Sequence, residues 1–133
     1  MKKNRYLYVF GFAFLLNLIW ENLHAQLYVH YMNGPITEWV LLKATFVDAT
    51  IITTLYFLSQ FLKEKYRTMF LIAFGICVAL GIEWFALSTN RWEYKPSMPI
   101  IPVVRTGLTP TIQLSLLGVI SVTVASRLTR KKI

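Results

Sequence analysis

Residues 6–28 have the sequence YLYVFGFAFLLNLIWENLHAQLY, an almost unbroken apolar run that ends in a group of polar residues. A run of this length can cross the roughly 30 Å hydrocarbon core of a bilayer as one helix. Asn17, Glu21, His24 and Tyr28 are spaced four, three and four residues apart, so a helix would place them on one stripe. Because a carboxylate that faces lipid is energetically costly, we expect this stripe to face protein, water or a ligand.

The composition of the whole chain favours a membrane protein. Of its 133 residues, 56% are hydrophobic and only 15% are charged. A soluble domain of this length has too small an interior for so many apolar side chains. Further apolar runs at 39–61, 68–88 and 108–128 are each long enough to span a bilayer. We therefore predict an all-α, integral membrane four-helix bundle, formed by residues 1–133 as a single transmembrane domain.

The basic residues predict the orientation of the four spans. The formal net charge of +8 would suggest nucleic acid as a partner if the protein were soluble. Ten of the fourteen Lys and Arg residues, however, fall on one side of the predicted membrane. They are Lys2, Lys3, Arg5, Lys63, Lys65, Arg67, Arg127, Arg130, Lys131 and Lys132. We therefore expect cytoplasmic termini in a bacterial inner membrane, with membrane lipid and not nucleic acid as the partner.

A basic start followed by an apolar run is also the pattern of a secretory signal peptide. The residues where cleavage would fall, Leu23-His24-Ala25, lack the small side chain that the first of these positions requires. We therefore expect this segment to be retained as the first span.

Two more acids lie inside later spans, Asp48 in the second and Glu83 in the third. At about 1.5 Å per residue, Glu21, Glu83 and Gln113 fall at a similar height, with Asp48 slightly deeper. Two neighbouring carboxyl groups in a low dielectric cannot both ionise cheaply, so at least one is expected to keep its proton at neutral pH. A neutral carboxylic acid can donate a proton to a substrate. We therefore predict Glu21, Asp48 and Glu83 as catalytic residues.

Candidate substrate-binding residues surround this layer of acids. Arg91 or Arg105, in the second outer loop, can hold an anionic headgroup. The aromatic residues near the outer ends form an interfacial belt by default, but as pocket walls their faces would stabilise a carbocation. The predicted substrate-binding set is Asn17, His24, Trp20, Trp84, Arg91, Trp92, Tyr94 and Gln113.

A metal centre needs several His, Cys or carboxylate ligands in suitable spacing. The chain offers one Glu-x-x-His pair, Glu21 and His24, and a single cysteine, Cys77. No metal site and no cofactor are therefore predicted.

The stretch from Asn17 to Tyr28 resembles the N-x-x-W-E-x-x-Y-A-x-x-Y motif of the integral-membrane terpene cyclases of fungal meroterpenoid pathways. In that family the glutamate of the motif is thought to act in the acid step that starts cyclisation, assisted by a second acid in a later helix. The resemblance implies Glu21 as the proton donor and Asp48 or Glu83 as its partner. His24 stands where the family usually has tyrosine. Those cyclases have more than four spans, so either two copies of this chain associate as a homo-oligomer or the resemblance is confined to one helix.

The whole chain also resembles small four-span bacterial membrane proteins. They share a Trp-Glu helix, an Asp in the second span, and Glu-Trp and Arg-Trp-x-Tyr elements followed by proline. This second resemblance implies no activity.

Three functions are consistent with the sequence. The first is acid-initiated cyclisation, isomerisation or hydration of an isoprenoid or other lipid, with Glu21 as the acid. The second is a carrier for protons or small solutes, which requires a polar route to both faces, whereas the lower halves of the spans are apolar apart from scattered Ser and Thr. The third is an accessory subunit of a membrane complex, whose acids fix helix register. The convergence of three acids at one depth favours the first.

Overall fold

Four long helices make up most of residues 2–130, the part of the chain that the computed structural model describes. They are α1 (Lys2–His24), α2 (Glu38–Ser59), α3 (Glu64–Ser88) and α4 (Leu108–Arg130). Each helix is long and apolar enough to cross a bilayer, and the prediction of an all-α, four-helix protein is confirmed. Lys131 and Lys132, which contribute to the predicted orientation, lie outside the described residues.

Three helix ends differ from the predicted spans by four residues, namely both ends of α1 and the start of α3, and the other ends differ by two residues or fewer. α1 ends at His24, and a short 3₁₀ turn (Ala25–Leu27) leads into strand β1 (Tyr28–Tyr31), so the placement of Tyr28 on the helical stripe is wrong. α3 begins at Glu64, four residues before the predicted span, because charged residues continue the helix beyond its apolar part. The start of α2 is fixed by Thr37, whose hydroxyl accepts a hydrogen bond from the backbone N–H of Val40.

A two-stranded sheet lies at the end of the bundle where α1 finishes. Strand β1 pairs in antiparallel fashion with β2 (Trp92–Tyr94) from the loop between α3 and α4. A tight turn follows β1, in which Tyr31 and Gly34 exchange both backbone hydrogen bonds. The two central residues, Met32 and Asn33, have φ angles of 49° and 61°, as a type I′ turn requires. The sheet joins the loop between α1 and α2 to the loop between α3 and α4. Together they form an ordered layer, here called the cover, over this end of the bundle.

The four helices form an open arrangement in the order α2–α1–α4–α3. α1 packs closely against both α2 and α4, and α3 packs closely against α4. α2 and α3 are joined by the short segment 60–63, but they contact each other much less. The core lies between the tightly packed helices and is formed by residues such as Val9, Ala13, Ala49, Ile52 and Leu117. A seam between α2 and α3 therefore remains loosely filled.

α3 approaches α4 closely at Gly75. A Cβ atom on Gly75 would lie 2.5 Å from the Ser115 hydroxyl oxygen and 2.9 Å from the Ser115 backbone nitrogen. The Ser115 hydroxyl in turn donates to the carbonyl of Ile72 at 2.7 Å. Small residues of this kind allow two membrane helices to pack backbone to backbone.

We predict that Gly75→Ala destabilises the protein by about 1–3 kcal/mol, because the new methyl group forces α3 away from the α4 backbone. Gly81→Ala is the matched control on the same helix, since its Cβ would meet nothing within 4 Å. Thermal unfolding in detergent should show a lower midpoint for Gly75→Ala and no loss for Gly81→Ala. Equal midpoints for the two variants would contradict the described packing.

Candidate functional site

A cavity of about 280 Å³ lies between the helices beneath the two-stranded sheet. All four helices and both strands contribute to its wall. The three predicted catalytic acids, Glu21, Asp48 and Glu83, all line it. Three of the predicted binding residues, His24, Trp92 and Gln113, line it as well.

The side-chain amide of Gln113 connects three residues from α1 and α2. Its Nε2 atom lies 2.9 Å from Asn17 Oδ1, 2.8 Å from Glu21 Oε1 and 2.9 Å from Asp48 Oδ2. Asn17 is fully buried, and its own nitrogen donates to the carbonyl of Ala13 at 2.7 Å, which leaves its oxygen directed at Gln113. The depth expected from residue position therefore brought together Glu21, Asp48 and Gln113, which do contact each other in the structure.

The Gln113 amide cannot satisfy all three oxygen atoms by itself. An NH₂ group has two hydrogen atoms, whereas three acceptors lie within hydrogen-bonding distance of this nitrogen. Glu21 and Asp48 are thereby held side by side, in the range where two like charges disfavour each other. A proton on either carboxyl group would turn one acceptor into a donor and remove both the repulsion and the missing hydrogen bond.

His24 extends this network from Glu21 towards α4. Its Nε2 atom lies 3.2 Å from Glu21 Oε2, and its Nδ1 atom lies 3.1 Å from the hydroxyl of Thr109. The Thr109 hydroxyl donates to the sulfur of Met98 at 3.5 Å, so it accepts from Nδ1–H of His24. Nε2 then either accepts a proton from neutral Glu21 or donates one to the Glu21 carboxylate. The pair can exchange one proton without reorienting the ring.

Glu83 has a different environment from the other two acids. It is only 4% exposed, and its Oε2 atom accepts hydrogen bonds from Trp92 Nε1 at 3.1 Å and from the hydroxyl of Tyr94. Burial and the hydrogen bond to Glu83 both raise the pKa of the Tyr94 phenol, so Tyr94 stays a donor at physiological pH. Two such donors stabilise the carboxylate form of Glu83 and so oppose the effect of its burial, which favours the neutral acid. Tyr94 thus acts on the site through Glu83.

Aromatic rings from the sheet cover the cavity. Tyr28 and Tyr31 of β1 and Trp92 of β2 all line it, and the rings of Tyr31 and Trp92 are stacked with centroids 6.3 Å apart. The Tyr28 ring meets that of His24 edge to face at 5.3 Å. Burial, reinforced by the negative charge of Glu83, raises the pKa of the Tyr28 phenol well above its usual range. The cover is therefore aromatic, and the Tyr28 phenol keeps its proton.

Five predicted binding residues are not in the cavity wall: Asn17 and Tyr94 contact the wall residues Gln113 and Glu83 from behind, and the other three lie elsewhere. Trp20 packs against the hydrophobic core, and its buried Nε1 has no hydrogen-bond partner among residues 2–130. Trp84 follows Glu83 on the helix, so its side chain points to a different side. It is half exposed, and its Nε1 donates to the carbonyl of Val104 at 3.0 Å. Arg91 is exposed, with its guanidinium group over the ring of Phe85 at 4.9 Å. The lysine that does line the cavity is Lys43.

Sequence reasoning did not identify Thr109, Met98 or Tyr31 as site residues, and it placed Tyr28 on the polar stripe of the first span without including it in the binding set. Met98 contacts Thr109, which in turn contacts His24, because the loop after β2 folds back onto the start of α4. Tyr31 reaches the cavity through the pairing of β1 with β2, whose segments lie far apart in sequence. The local sequence signal for these residues was the aromatic character of the β1 and β2 segments.

The chain matches no protein-family model, no curated protein and no solved structure. The chemistry of the site therefore has to be inferred from its own geometry.

We predict that Tyr94→Phe lowers the free energy of unfolding by about 1.5–3 kcal/mol, the usual range for a hydrogen bond to a charged group. Tyr66→Phe is the control, since Tyr66 is exposed near the other end of α3. Denaturant unfolding of Tyr94→Phe, Glu83→Gln and the double variant should give a coupling energy between the two residues. Additive effects would show that the Tyr94 hydroxyl does not stabilise the Glu83 carboxylate.

Proposed function

We propose that this protein is an integral membrane enzyme that protonates a carbon–carbon double bond of an isoprenoid or other lipid. Protonation would start a cyclisation, isomerisation or hydration. The observation that carries the proposal is the Gln113 amide, which holds Glu21 and Asp48 together in the wall of an otherwise largely apolar cavity.

The outer surface of the bundle supports insertion into a membrane. Large apolar side chains on all four helices face outward, including Leu7, Trp39, Phe57, Met69 and Leu116. A continuous apolar surface of this kind is not typical of a soluble monomer. The basic residues of 63–67 and the end of α4 lie at the same end of the bundle, where Arg130 approaches Glu64 at 3.8 Å. The positive-inside rule would put this end, and both termini, in the cytoplasm of a bacterium.

Glu21 is the proton donor in this proposal. Its proton passes to one carbon of the double bond, a C–H bond forms, and the neighbouring carbon becomes a cation. The resulting Glu21 carboxylate is stabilised by the Gln113 amide through Oε1. Asp48 shares the amide with Glu21, and the proton that the reacting chain releases, to Glu83 or from added water, returns to the Glu21–Asp48 pair between turnovers.

The cation is stabilised by the rest of the cavity. The Glu83 carboxylate supplies negative charge, and the faces of Tyr28 and Trp92 supply cation–π attraction. The reaction ends when the cation loses a proton from an adjacent carbon to Glu83 or combines with water. Donor and counter-ion are thus different acids, as their different hydrogen bonds favour.

The resemblance of residues 17–28 to membrane terpene cyclases supports the same assignment of Glu21. At the position where that family usually has tyrosine, His24 contacts Glu21 directly and can take part in proton transfer. The family's role for a second acid would fall to Asp48, the acid that shares the Gln113 amide with Glu21.

The geometry is less favourable for a carrier. Below Asn17 the helices are packed by apolar core residues, among them Val9, Ala13, Ile52 and Leu117. The buried hydroxyl of Ser121 in this region bonds to a carbonyl of its own helix. The cavity therefore has a closed lower end, as a binding pocket would.

Glu21→Gln keeps the shape of the side chain and removes the acid, so we predict at least a 100-fold loss of product, within the range typical of general acid catalysis. Asp48→Asn should also reduce the product, whereas Glu38→Gln, at an exposed position in the first turn of α2, should not. The measurement is mass spectrometry of lipid extracts from cells that express each variant.

An unchanged product profile in Glu21→Gln would overturn the proposal. Proton flux in liposomes that disappears in Asp48→Asn would favour a carrier instead.

A further inference from the structure

The cavity is open towards the seam between α2 and α3. Ala44 and Val47 of α2 and Ile82 of α3 line it, and Val47 is 51% exposed. α2 and α3 follow each other in the chain but contact each other far less than α1 contacts α2 or α3 contacts α4. If the chain spans a bilayer, the seam faces hydrocarbon and gives the cavity a lateral entrance.

On other sides the cavity is bordered by the hydrophobic core and by the two-stranded sheet. Towards the lower end, Ile51 of α2 and Val78 of α3 pack against the hydrophobic core. Above the cavity, the two-stranded sheet contributes Tyr28, Tyr31 and Trp92 to the wall. A ligand with an apolar chain can therefore enter from the side without passing through the core or the sheet.

The charges along the cavity are arranged in a definite order. Lys43 is exposed and lies one helical turn from Val47, so it is placed at the entrance. Its ammonium group lies 5.9 Å above the ring of Trp39 and forms no ion pair with any residue in the described part of the chain. The inner wall, by contrast, carries the three acids. An anionic group would be attracted to the entrance and repelled from the inner end.

We propose that the cavity accepts the chain end of a single-chain anionic lipid, which enters between α2 and α3 and leaves its headgroup at Lys43. The volume of about 280 Å³ is close to the lower end of the usual range for small-molecule pockets, so it admits the end of one chain and not a two-chain lipid. The reaction of that chain end at Glu21 rests on the proposed function, whereas binding does not require it.

Binding is measurable by the quenching of Trp92 fluorescence in nanodiscs of zwitterionic phospholipid. The probe is a fatty acid with bromine atoms at the end of its chain, compared with an alkylamine that carries the same brominated chain. Trp39→Phe and Trp84→Phe remove the two exposed tryptophans that surrounding lipid would quench. We expect saturable quenching by the acid, reversed by an excess of unbrominated fatty acid, and weaker quenching by the amine.

Two substitutions test the entrance. Lys43→Gln should raise the half-saturating fraction of the acid by about threefold or more, as loss of a favourable ion pair predicts. Ala44→Leu should reduce quenching by filling the entrance, whereas Ala73→Leu, at an exposed position on α3, should not. Near-ultraviolet circular dichroism would confirm that each variant is folded.

Non-saturable quenching, equal or stronger binding of the amine, or unchanged binding in both Lys43→Gln and Ala44→Leu would overturn the inference. The Glu21→Gln variant separates the two proposals, because it should still bind the acid. Retained binding with an unchanged product profile would reject the acid chemistry alone. Loss of product in Glu21→Gln without any specific quenching in the parent protein would reject the lateral site alone.

Discussion

The rest of the site depends on one nitrogen atom, Nε2 of Gln113, which lies within 2.9 Å of oxygen atoms from Asn17, Glu21 and Asp48. This amide joins α4 to both α1 and α2 through polar contacts in an otherwise apolar interior. It also holds the carboxyl groups of Glu21 and Asp48 side by side, and its two N–H hydrogen atoms cannot serve all three neighbouring oxygen atoms. Since a buried polar group without a partner is expensive, the arrangement favours a proton held between the acids. Structural cohesion and acid chemistry thus arise from the same contact.

The position of α3 explains why the cavity stays open. α3 is held to α4 by the close approach at Gly75 and is tied to the sheet through Glu83, Trp92 and Tyr94. Neither set of contacts draws it towards α2. The loose seam therefore results from where the strong contacts lie. It leaves the acids accessible from the side, which a network that served only to fix helix register would not require.

Much of the helical part could be predicted from the sequence, because runs of apolar residues determine long helices and 1.5 Å per residue determines depth. That arithmetic brought Glu21, Asp48 and Gln113 to one level, where they do meet. It could not predict the sheet, because β1 and β2 contain only four and three residues and pair across a long separation. The direction of Trp84 was missed for a related reason: depth gives the level of a side chain but not the side of the helix on which it lies.

The most direct test of a shared proton is infrared spectroscopy of the protein in nanodiscs at neutral pH. The account predicts a carbonyl stretching band of a protonated carboxyl group, which shifts on exchange into heavy water. The band should disappear in both Asp48→Asn and Glu21→Gln, because either change leaves a single acid beside the Gln113 amide, and it should persist in Glu64→Gln, an exposed acid. A spectrum with only ionised carboxylate bands, or a protonated band that survives both substitutions, would contradict the central claim.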